Sequence, residues 1–308
     1  MRVYDDIPDV PLTSGGRSVG IGVFDGVHIG HQELLRRVVR KAEQRGLRSL
    51  VFTFDRHPLE VLNPQAAPAM LTTLDEKLAL IEELGVEEVV VARVRLDLLN
   101  TDAAEFVRSV LSARLRAAYA VAGWNFRFGK GRQGTPGLLK ELGAELGIEA
   151  DVVAPVLYGG EPVSSTRVRE VLAAGDVETA AGLLGRAHCT EGKVVPGAGR
   201  GRTIGVPTAN LEADPRKALP ARGVYVAEAS VDGETHRAVV NIGTRPTFED
   251  GRKVLVEAHL LDFRGDLYGR KVRLSFARRL RDERRFESVE ELKLQIAEDI
   301  AEARRSAV

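Results

Sequence analysis

No stretch constrains this chain more than residues 18–54, SVGIGVFDGVHIGHQELLRRVVRKAEQRGLRSLVFTF. SVGIGVF (18–24) is apolar and β-branched and reads as a buried strand. After Gly30, Leu34, Leu35, Val38, Val39 and Ala42 recur at helical spacing, and Gly46 supplies the stop. RSLVFTF (48–54) is a second strand. A strand, a helix and a strand in this order form a βαβ unit, so the sheet contains parallel neighbours joined by a crossover.

The pattern repeats. TTLDEKLALIEELG (72–85) reads as a helix capped by Thr and ended by Gly85, and VEEVVVARV (86–94) as a strand. TDAAEFVRSVLSARL (101–115) reads as a helix with Thr101 or Asp102 as N-cap, followed by the strand AAYAVAG (117–123). TPGLLKELGAELG (135–147) and ADVVAPV (150–156) add a further helix and strand. The expectation is an α/β domain with a mostly parallel sheet and helices on both faces. Ligands of such sheets bind at the carboxyl ends of the strands, where VFDGVHIGH, TFDRHP and AGWNFRFG all fall. SSTRVREVLAAGDVETAAGLLGR (164–186) reads as two short helices closing this domain.

The second half changes texture. CTEGKVV, GVYVAEASV, THRAVVNIG, KVLVEAHLLDF and KVRLSFARRL are short, Val-rich and alternating, and turn residues separate them. That is an antiparallel pattern, and a small closed β-barrel fits it. FESVEELKLQIAEDIAEARRS (286–306) is a terminal amphipathic helix with Ser288 as N-cap and a Glu at N3. The boundary is placed near residue 186, giving domains 1–186 and 187–308.

A length of 308 residues accommodates two domains, and 44% hydrophobic with 29% charged residues suits folded cores. No apolar run reaches membrane-spanning length, and MRVYDDIPDV has no apolar signal core. The expectation is a cytoplasmic enzyme without a membrane partner. Cys189 is the only cysteine, which excludes an internal disulfide and a Cys-based metal cluster and reads as a packing residue. Residues 1–186 carry 22 basic and 25 acidic side chains and 187–308 carry 22 and 19, a net −3 against +3. Neither half has the basic excess of a nucleic-acid binder. The run ARRLRDERRF (277–286) reads as a solvated helix face.

Four stretches bear on chemistry. His28 and His31 flank Gly30 where a strand turns into a helix, a place whose free N–H groups and dipole favour an anion. Imidazoles there can donate to phosphate oxygens, and Gly30 lets the backbone approach. Asp25 either holds the loop or approaches a metal. The competing reading is a metal site, with Asp55 and His57 of FDRHP as more distant ligands. GWNFRFGKGRQGT (123–135) reads either as a flap that stacks on a planar ligand and contacts its phosphate, or as a loop with packed rings. No P-loop and no dinucleotide fingerprint is present, so any nucleotide is held another way. In SSTRVRE (164–170), Ser164 or Ser165 is an ordinary N-cap; with Arg167 the segment could equally serve a triphosphate. In GAGRGRTIGVPTANL (197–211), Thr208 and Asn210 point to one side if extended, and both carry oxygens suited to Mg²⁺. Glu257 interrupts an apolar alternating strand, either as a surface-facing residue or as a working one.

Taken together and in this order, GVFDGVHIGH, TFDRHP, GWNFRFG, SSTRVRE, GRGRTIGVPTANL, GVYV, NIGTRPTF and VEAHLLDF…DLYG resemble the bifunctional bacterial riboflavin kinase/FAD synthetase family from about residue 18 to the end. The resemblance implies a Rossmann-like nucleotidylyltransferase domain that transfers AMP from ATP to FMN, giving FAD and pyrophosphate. It implies a C-terminal β-barrel that phosphorylates riboflavin with ATP to give FMN, with Mg²⁺ required. By the same resemblance, His28 and His31 would stabilise charge on the ATP phosphates. Asn125 would position a phosphate, and Ser164, Ser165, Thr166 and Arg167 would bind the phosphate tail. Gly22, Phe24, Asp25, Gly30, Asp55 and Arg127 would complete the nucleotide site. In the kinase, Thr208 and Asn210 would hold Mg²⁺ and ATP, and Glu257 would be the general base. Asn241 would shape the nucleotide pocket beside Gly201, Arg202, Gly205 and Pro207. Two departures stand out: Asn125 where many relatives carry Asp, which argues against a general base there, and Val206 in place of Phe.

The expected partners are riboflavin, FMN, FAD and ATP, without nucleic acid, and weak or transient self-association is allowed for. Two alternatives differ: an adenylyltransferase whose second domain only binds flavin, and a flavin-binding regulator or nucleic-acid-binding protein. The intact PTAN and Glu257 oppose the first, and the balanced charge of the second half opposes the other.

Overall fold

The computed structural model describes residues 1–12, 15–197, 201, 205–245 and 253–306. They divide into two compact units, Met1–Ser165 and Thr166–Val308.

In the first unit, β2 (Arg17–Ile21), α1 (Ile29–Arg45) and β3 (Arg48–Phe54) realise the βαβ unit, after a short β1 (Arg2–Tyr4). Leu34, Leu35, Val38 and Ala42 form the buried stripe of α1, which ends at Gly46 in the left-handed region (φ +62°). There follow a short α2 (Leu59–Leu62), α3 (Leu74–Glu83), β4 (Glu88–Ala92), α4 (Leu96–Leu99) and α5 (Ala103–Glu105). The chain leaves α5 as a wide π-helical segment, Phe106–Arg114, where the sequence reads as one ordinary helix. β5 (Ala117–Gly123), α6 (Pro136–Glu145), β6 (Glu149–Val153) and a hairpin of β7 (Leu157–Tyr158) and β8 (Glu161–Pro162) complete it.

The sheet order is β1-β4-β3-β2-β5-β6, and its neighbouring strands all pair in parallel among the described residues. From β2 the chain builds outward through β3 and β4, then returns to the other side of β2 with β5. The order reverses between β2 and β5, the kind of switch point at whose carboxyl edge α/β sheets form the crevice that binds ligands. Two apolar cores cover the sheet. One centres on Phe52, Phe106, Leu111 and Leu115, the other on Leu35, Val38, Val51 and Ile81.

The second unit takes up α7 (Ser165–Ala173) from its second residue, Thr166, and continues with α8 (Val177–Leu184). A closed barrel follows: β9 (His188–Val195), β10 (Ala209–Ala213), β11 (Gly223–Val231), β12 (Glu234–Arg245), β13 (Lys253–Leu260) and β14 (Lys271–Arg281). Around the barrel the order is β10-β13-β12-β11-β14-β9. Closure removes the exposed sheet edges. The terminal helix α9 (Val289–Arg305) has the expected Ser288 N-cap, whose hydroxyl accepts from the Glu291 N–H at 3.1 Å.

Two details differ from the sequence reading. The basic run 277–286 is not a helix face. β14 continues to Arg281, and its arginines pair with acids: Arg278 with Glu302, Arg279 with Asp282, and Arg281 with Asp299 at 2.7 Å. The helix pair over 164–186 falls almost wholly in the second unit. Its physical reason is visible: α8 packs on β14 and β9, burying Val177, Ala180, Leu183 and Leu184, and the Ala221 N–H donates to Leu172 O at 2.9 Å. Burying even one leucine is worth roughly 1.5–3 kcal/mol. A fragment beginning at Thr166 is therefore expected to melt at least ~5 °C above one beginning at Ala187. Equal melting would show that α8 lends the barrel no stability.

Candidate active sites

In the first unit the chain leaves β2 through a turn with unusual backbone. Phe24 (φ +52°) and Val27 (φ +38°) lie in the region that side chains with a Cβ avoid, with Gly26 (φ +83°) between them. Each such non-glycine residue costs of order 1–3 kcal/mol, and clamps hold it in place. The Asp25 carboxylate accepts from the Leu71 N–H at 3.0 Å and the Thr72 N–H at 3.1 Å. The Gly26 N–H donates to Thr72 Oγ1, and the Gln32 side-chain amide to Val27 O. Ser165, the last residue of this unit, donates its Oγ–H to Asp25 O at 2.9 Å. Asp25 thus holds the loop, the first of its two sequence readings.

His28 caps α1: its Nδ1 accepts from the His31 N–H at 3.2 Å. With Nδ1 accepting, the ring proton sits on Nε2, which makes His28 a neutral donor. The His31 ring stacks on that of His28, centroids 3.6 Å apart, and meets the Phe24 ring edge-on at 5.2 Å. Burial, then His28 and Lys77, hold the His31 imidazolium well below its ordinary value. His31 Nδ1 is buried without a hydrogen-bond partner. Gly30 lets the His28 ring lie close, since an added Cβ would sit 3.2 Å from it and push it aside by a few tenths of an ångström. Likewise a Cβ on Gly22 would meet the Phe24 ring at 3.0 Å.

The metal reading of this pair fails. Among the described residues no group of three or more His, Cys, Asp and Glu could hold a metal ion. Asp55 instead accepts from the Val94 N–H at 2.9 Å, and His57 Nδ1 accepts from the Leu59 N–H at 3.2 Å. Asp55 lies at the carboxyl end of β3, a backbone anchor of the crevice wall.

Past β5, the loop 123–135 divides its residues between the two readings. Phe126 and Phe128 stack on each other at 5.4 Å, and Phe128 packs on Phe106 in the core. Trp124 is the exposed ring of this loop, 46% exposed. Asn125 and Arg127 are exposed beside it. Thr166 and Arg167 stand in the first turn of α7.

The sequence reading missed one residue of this site, Lys77. It is buried, and its Nζ donates to Phe54 O at 2.8 Å, Thr53 Oγ1 at 3.2 Å and Val23 O at 3.3 Å. Its signal was present: Leu74, Lys77, Leu78 and Ile81 occupy one face of α3, so a lysine interrupts an apolar stripe.

In the barrel, strand register assembles the second site. Asn210 of β10 pairs with Glu257 of β13, which pairs in turn with Asn241 of β12. Directly opposed residues project to the same side, so the three form one row across adjacent strands. Val256, Ala258 and Leu260 are buried in the barrel, and Glu257 and His259 alternate with them onto the outer face. Glu257 is half-buried there and Asn210 is 9% exposed. Gly197 lies directly against the Asn210 amide, where any side chain would collide with it. Gly201 lies as closely against Val206 O and Thr208, so the PTAN segment is cradled by glycines. Gly205 adopts φ +83°. His259 Nδ1–H donates to Pro207 O at 2.7 Å and ties PTAN to the strand of Glu257. His259 also escaped the sequence reading, although strand alternation places it beside Glu257. Arg202 lies outside the described residues.

The FAD synthetase family model matches residues 11–167 and the riboflavin kinase model residues 184–307. The bifunctional riboflavin kinase/FMN adenylyltransferase of Escherichia coli K12 is 41% identical over 285 residues, 92% of this chain and 90% of that protein. Its counterpart of the same description from Bacillus subtilis 168 is 36% identical over 292 residues, 93% of this chain and 91% of that protein. A solved structure from Streptococcus pneumoniae, described as a macrolide-efflux protein, shares the fold with a TM-score of 0.90 over 99% of both chains at 32% identity. Among the described residues of this chain, no helix is long and apolar enough to cross a membrane. Two family models in tandem and matches along nine-tenths of the length lead to one conclusion: the chain belongs to the bifunctional riboflavin kinase/FMN adenylyltransferase family.

Proposed function

We propose that the chain makes FAD from riboflavin in two ATP-dependent steps, with kinase chemistry on the barrel and adenylylation at the β2–β5 crevice. The observation that carries this reading is the register row Asn210–Glu257–Asn241. It puts one carboxylate between two amides, next to the cradled PTAN segment. Such a site suits phosphoryl transfer, where positioning and charge stabilisation do most of the work.

In the kinase step the ribityl 5′-hydroxyl of riboflavin attacks the γ-phosphorus of ATP. Glu257 takes the hydroxyl proton, and ADP leaves. Thr208 Oγ1 and the Asn210 carbonyl are hard oxygen donors, and Mg²⁺ takes few protein ligands and completes its shell with water and phosphate, so the donor set fits. When bound, the ion would neutralise charge on the ATP phosphates. Asn241 would shape the nucleotide pocket, with Gly201, Arg202, Gly205 and Pro207 around it.

In the adenylylation step a phosphate oxygen of FMN attacks the α-phosphorus of ATP, and pyrophosphate leaves. The nucleophile is already an anion, so the step needs no general base. Asn125 is therefore adequate where a carboxylate would add repulsion. His28 and His31, as neutral donors, would stabilise the phosphate charge that builds up. Ser164, Ser165, Thr166 and Arg167 would hold the phosphate tail, with Gly22, Phe24, Asp25, Gly30, Asp55 and Arg127 shaping and supporting the crevice. The same reading places the enzyme in the cytoplasm, acting on small molecules. It assigns adenylylation to the parallel-sheet unit and phosphorylation to the barrel unit.

Purified protein incubated with riboflavin, ATP and Mg²⁺ is expected to form FMN first and FAD afterwards, followed by chromatography. No conversion in folded protein would overturn the reading. His31→Ala is expected to slow FAD formation about 10²-fold, the scale of losing one preorganised donor, while FMN formation continues. Equal loss of both activities would show that His28 and His31 are misassigned.

A further inference from the structure

Lys77 is a lysine on the buried face of a helix, an arrangement that is costly unless the ammonium is fully hydrogen-bonded. Its Nζ meets that need with Val23 O, Phe54 O and Thr53 Oγ1. These oxygens lie where the chain leaves β2 and at the carboxyl end of β3. All three acceptors are neutral, and Lys77 makes no ion pair among the described residues. A packing role alone would be served by methionine. The Thr53 hydroxyl already donates to Val23 O at 3.0 Å, so the ammonium is not the only tie on that carbonyl. What the lysine adds is a charge.

Its place is specific. Val23 begins the turn that contains Phe24 and Val27 at positive φ. The segment leading into α3 grips the same turn, through the Leu71 and Thr72 amides on Asp25 and through Thr72 Oγ1 on the Gly26 N–H. Lys77 is the third grip from the same element.

We propose that Lys77 is a positioning residue of the adenylylation site, holding the strained Val23–Val27 turn from α3 and setting a buried positive charge behind the loop that receives the ATP phosphates. The inference rests on the assignment of FMN adenylylation to the first unit.

The charged and titratable groups facing Lys77 are Asp25 of the turn, Asp55 after β3 and His31 of α1. Burial lowers the ammonium to about 8, against the pull of Asp25 and Asp55. Above that pH the charge is lost while the packing stays. In turn, the charge on Lys77 is one of the causes that keep His31 neutral.

The test measures kcat/KM for ATP in FMN adenylylation by the full chain between pH 6.5 and 9.5, because kcat/KM reports the free enzyme. Wild-type protein is expected to lose efficiency through an inflection near 8. Lys77→Met and Lys77→Gln are each expected to be about 10- to 100-fold slower at pH 7 and to lack the inflection. Riboflavin phosphorylation by the same preparations should stay within about twofold of wild type, since the barrel carries its own motifs. In Lys77→Met the His31 ring, followed by ¹⁵N NMR, should titrate at higher pH than in wild type. Lys77→Gln keeps an N–H donor without the charge, so this variant at the wild-type rate would overturn the proposal. So would a wild-type profile without an alkaline inflection, which decides the matter even if Lys77→Met fails to fold. Absence of FAD from wild-type protein at every pH would instead overturn the activity on which the proposal rests.

Discussion

Glu257→Gln is expected to slow conversion of riboflavin to FMN by roughly 10²–10⁴-fold, the usual worth of a positioned general base, while FMN is still converted to FAD. Glutamine keeps the size of the side chain and its place in the register row between Asn210 and Asn241. Only the proton acceptor goes. The loss should therefore fall on kcat, with KM for riboflavin and for ATP nearly unchanged. Its measurement is a riboflavin-to-FMN rate at saturating ATP, with FMN-to-FAD conversion in the same preparation as control. A variant that keeps more than a tenth of the wild-type kcat would remove Glu257 from the chemistry and leave it as a surface-facing strand residue. Loss of both activities would mean that the substitution had damaged the fold.

That two-sided outcome reflects how the site was legible. Alternation in VLVEAHLL marks residue 257 as facing the other way from its apolar neighbours, and it says nothing of what lies across the strand. The neighbours come from register, which depends on where β10 and β12 start, and those starts are set by loops that carry little periodic signal. The first unit was more legible because its signals are local. Apolar spacing gave α1 its buried stripe, and Gly46 ended it. Thr73 with Glu76 closes a full capping box at the start of α3.

The misses share another cause. Lys77, β1 and the basic run of β14 each depend on a partner far away in sequence. β1 has three residues and exists because it adds in parallel to β4. The Arg278 and Arg281 side chains look solvated in sequence and are taken up by acids of α9. The widening of the helix over Phe106–Arg114 is likewise invisible to a 3.6-residue period.

Arg17 is the largest of these hidden features, and its removal carries the largest expected loss of stability. Its side chain is wholly buried, and Glu88, 2% exposed, lies 2.6 Å from its Nε. The guanidinium also donates to Leu115 O at 3.0 Å and Pro11 O at 3.1 Å, while Glu88 accepts from Tyr4 and Arg48. The cluster sits at the amino ends of the strands, opposite the crevice, so it serves the fold and not the reaction. Breaking a buried pair by removing one partner typically costs about 3–5 kcal/mol, because the other charge is left uncompensated. Arg17→Met and Glu88→Gln are each expected to lower the melting temperature of the first unit by roughly 10 °C. The barrel should keep its own transition and its kinase activity. Combining Arg17→Met with Glu88→Leu should cost clearly less than the two single losses added, since no lone charge then remains. Acid gives the same pair a second signature. Burial pushes the Glu88 carboxyl up, but the hydrogen bond and charge of Arg17, with Tyr4 and Arg48, outweigh it and leave the group below its ordinary value. A depressed carboxylate stabilises the fold above its unfolded value, near 4.5, and that share is lost as pH falls through the folded value. Thermal melts of wild type and Glu88→Gln should therefore lie far apart at pH 7 and converge as the pH falls from 4.5 through the folded value. Curves that stay parallel across that range would show that the pair contributes packing and not charge.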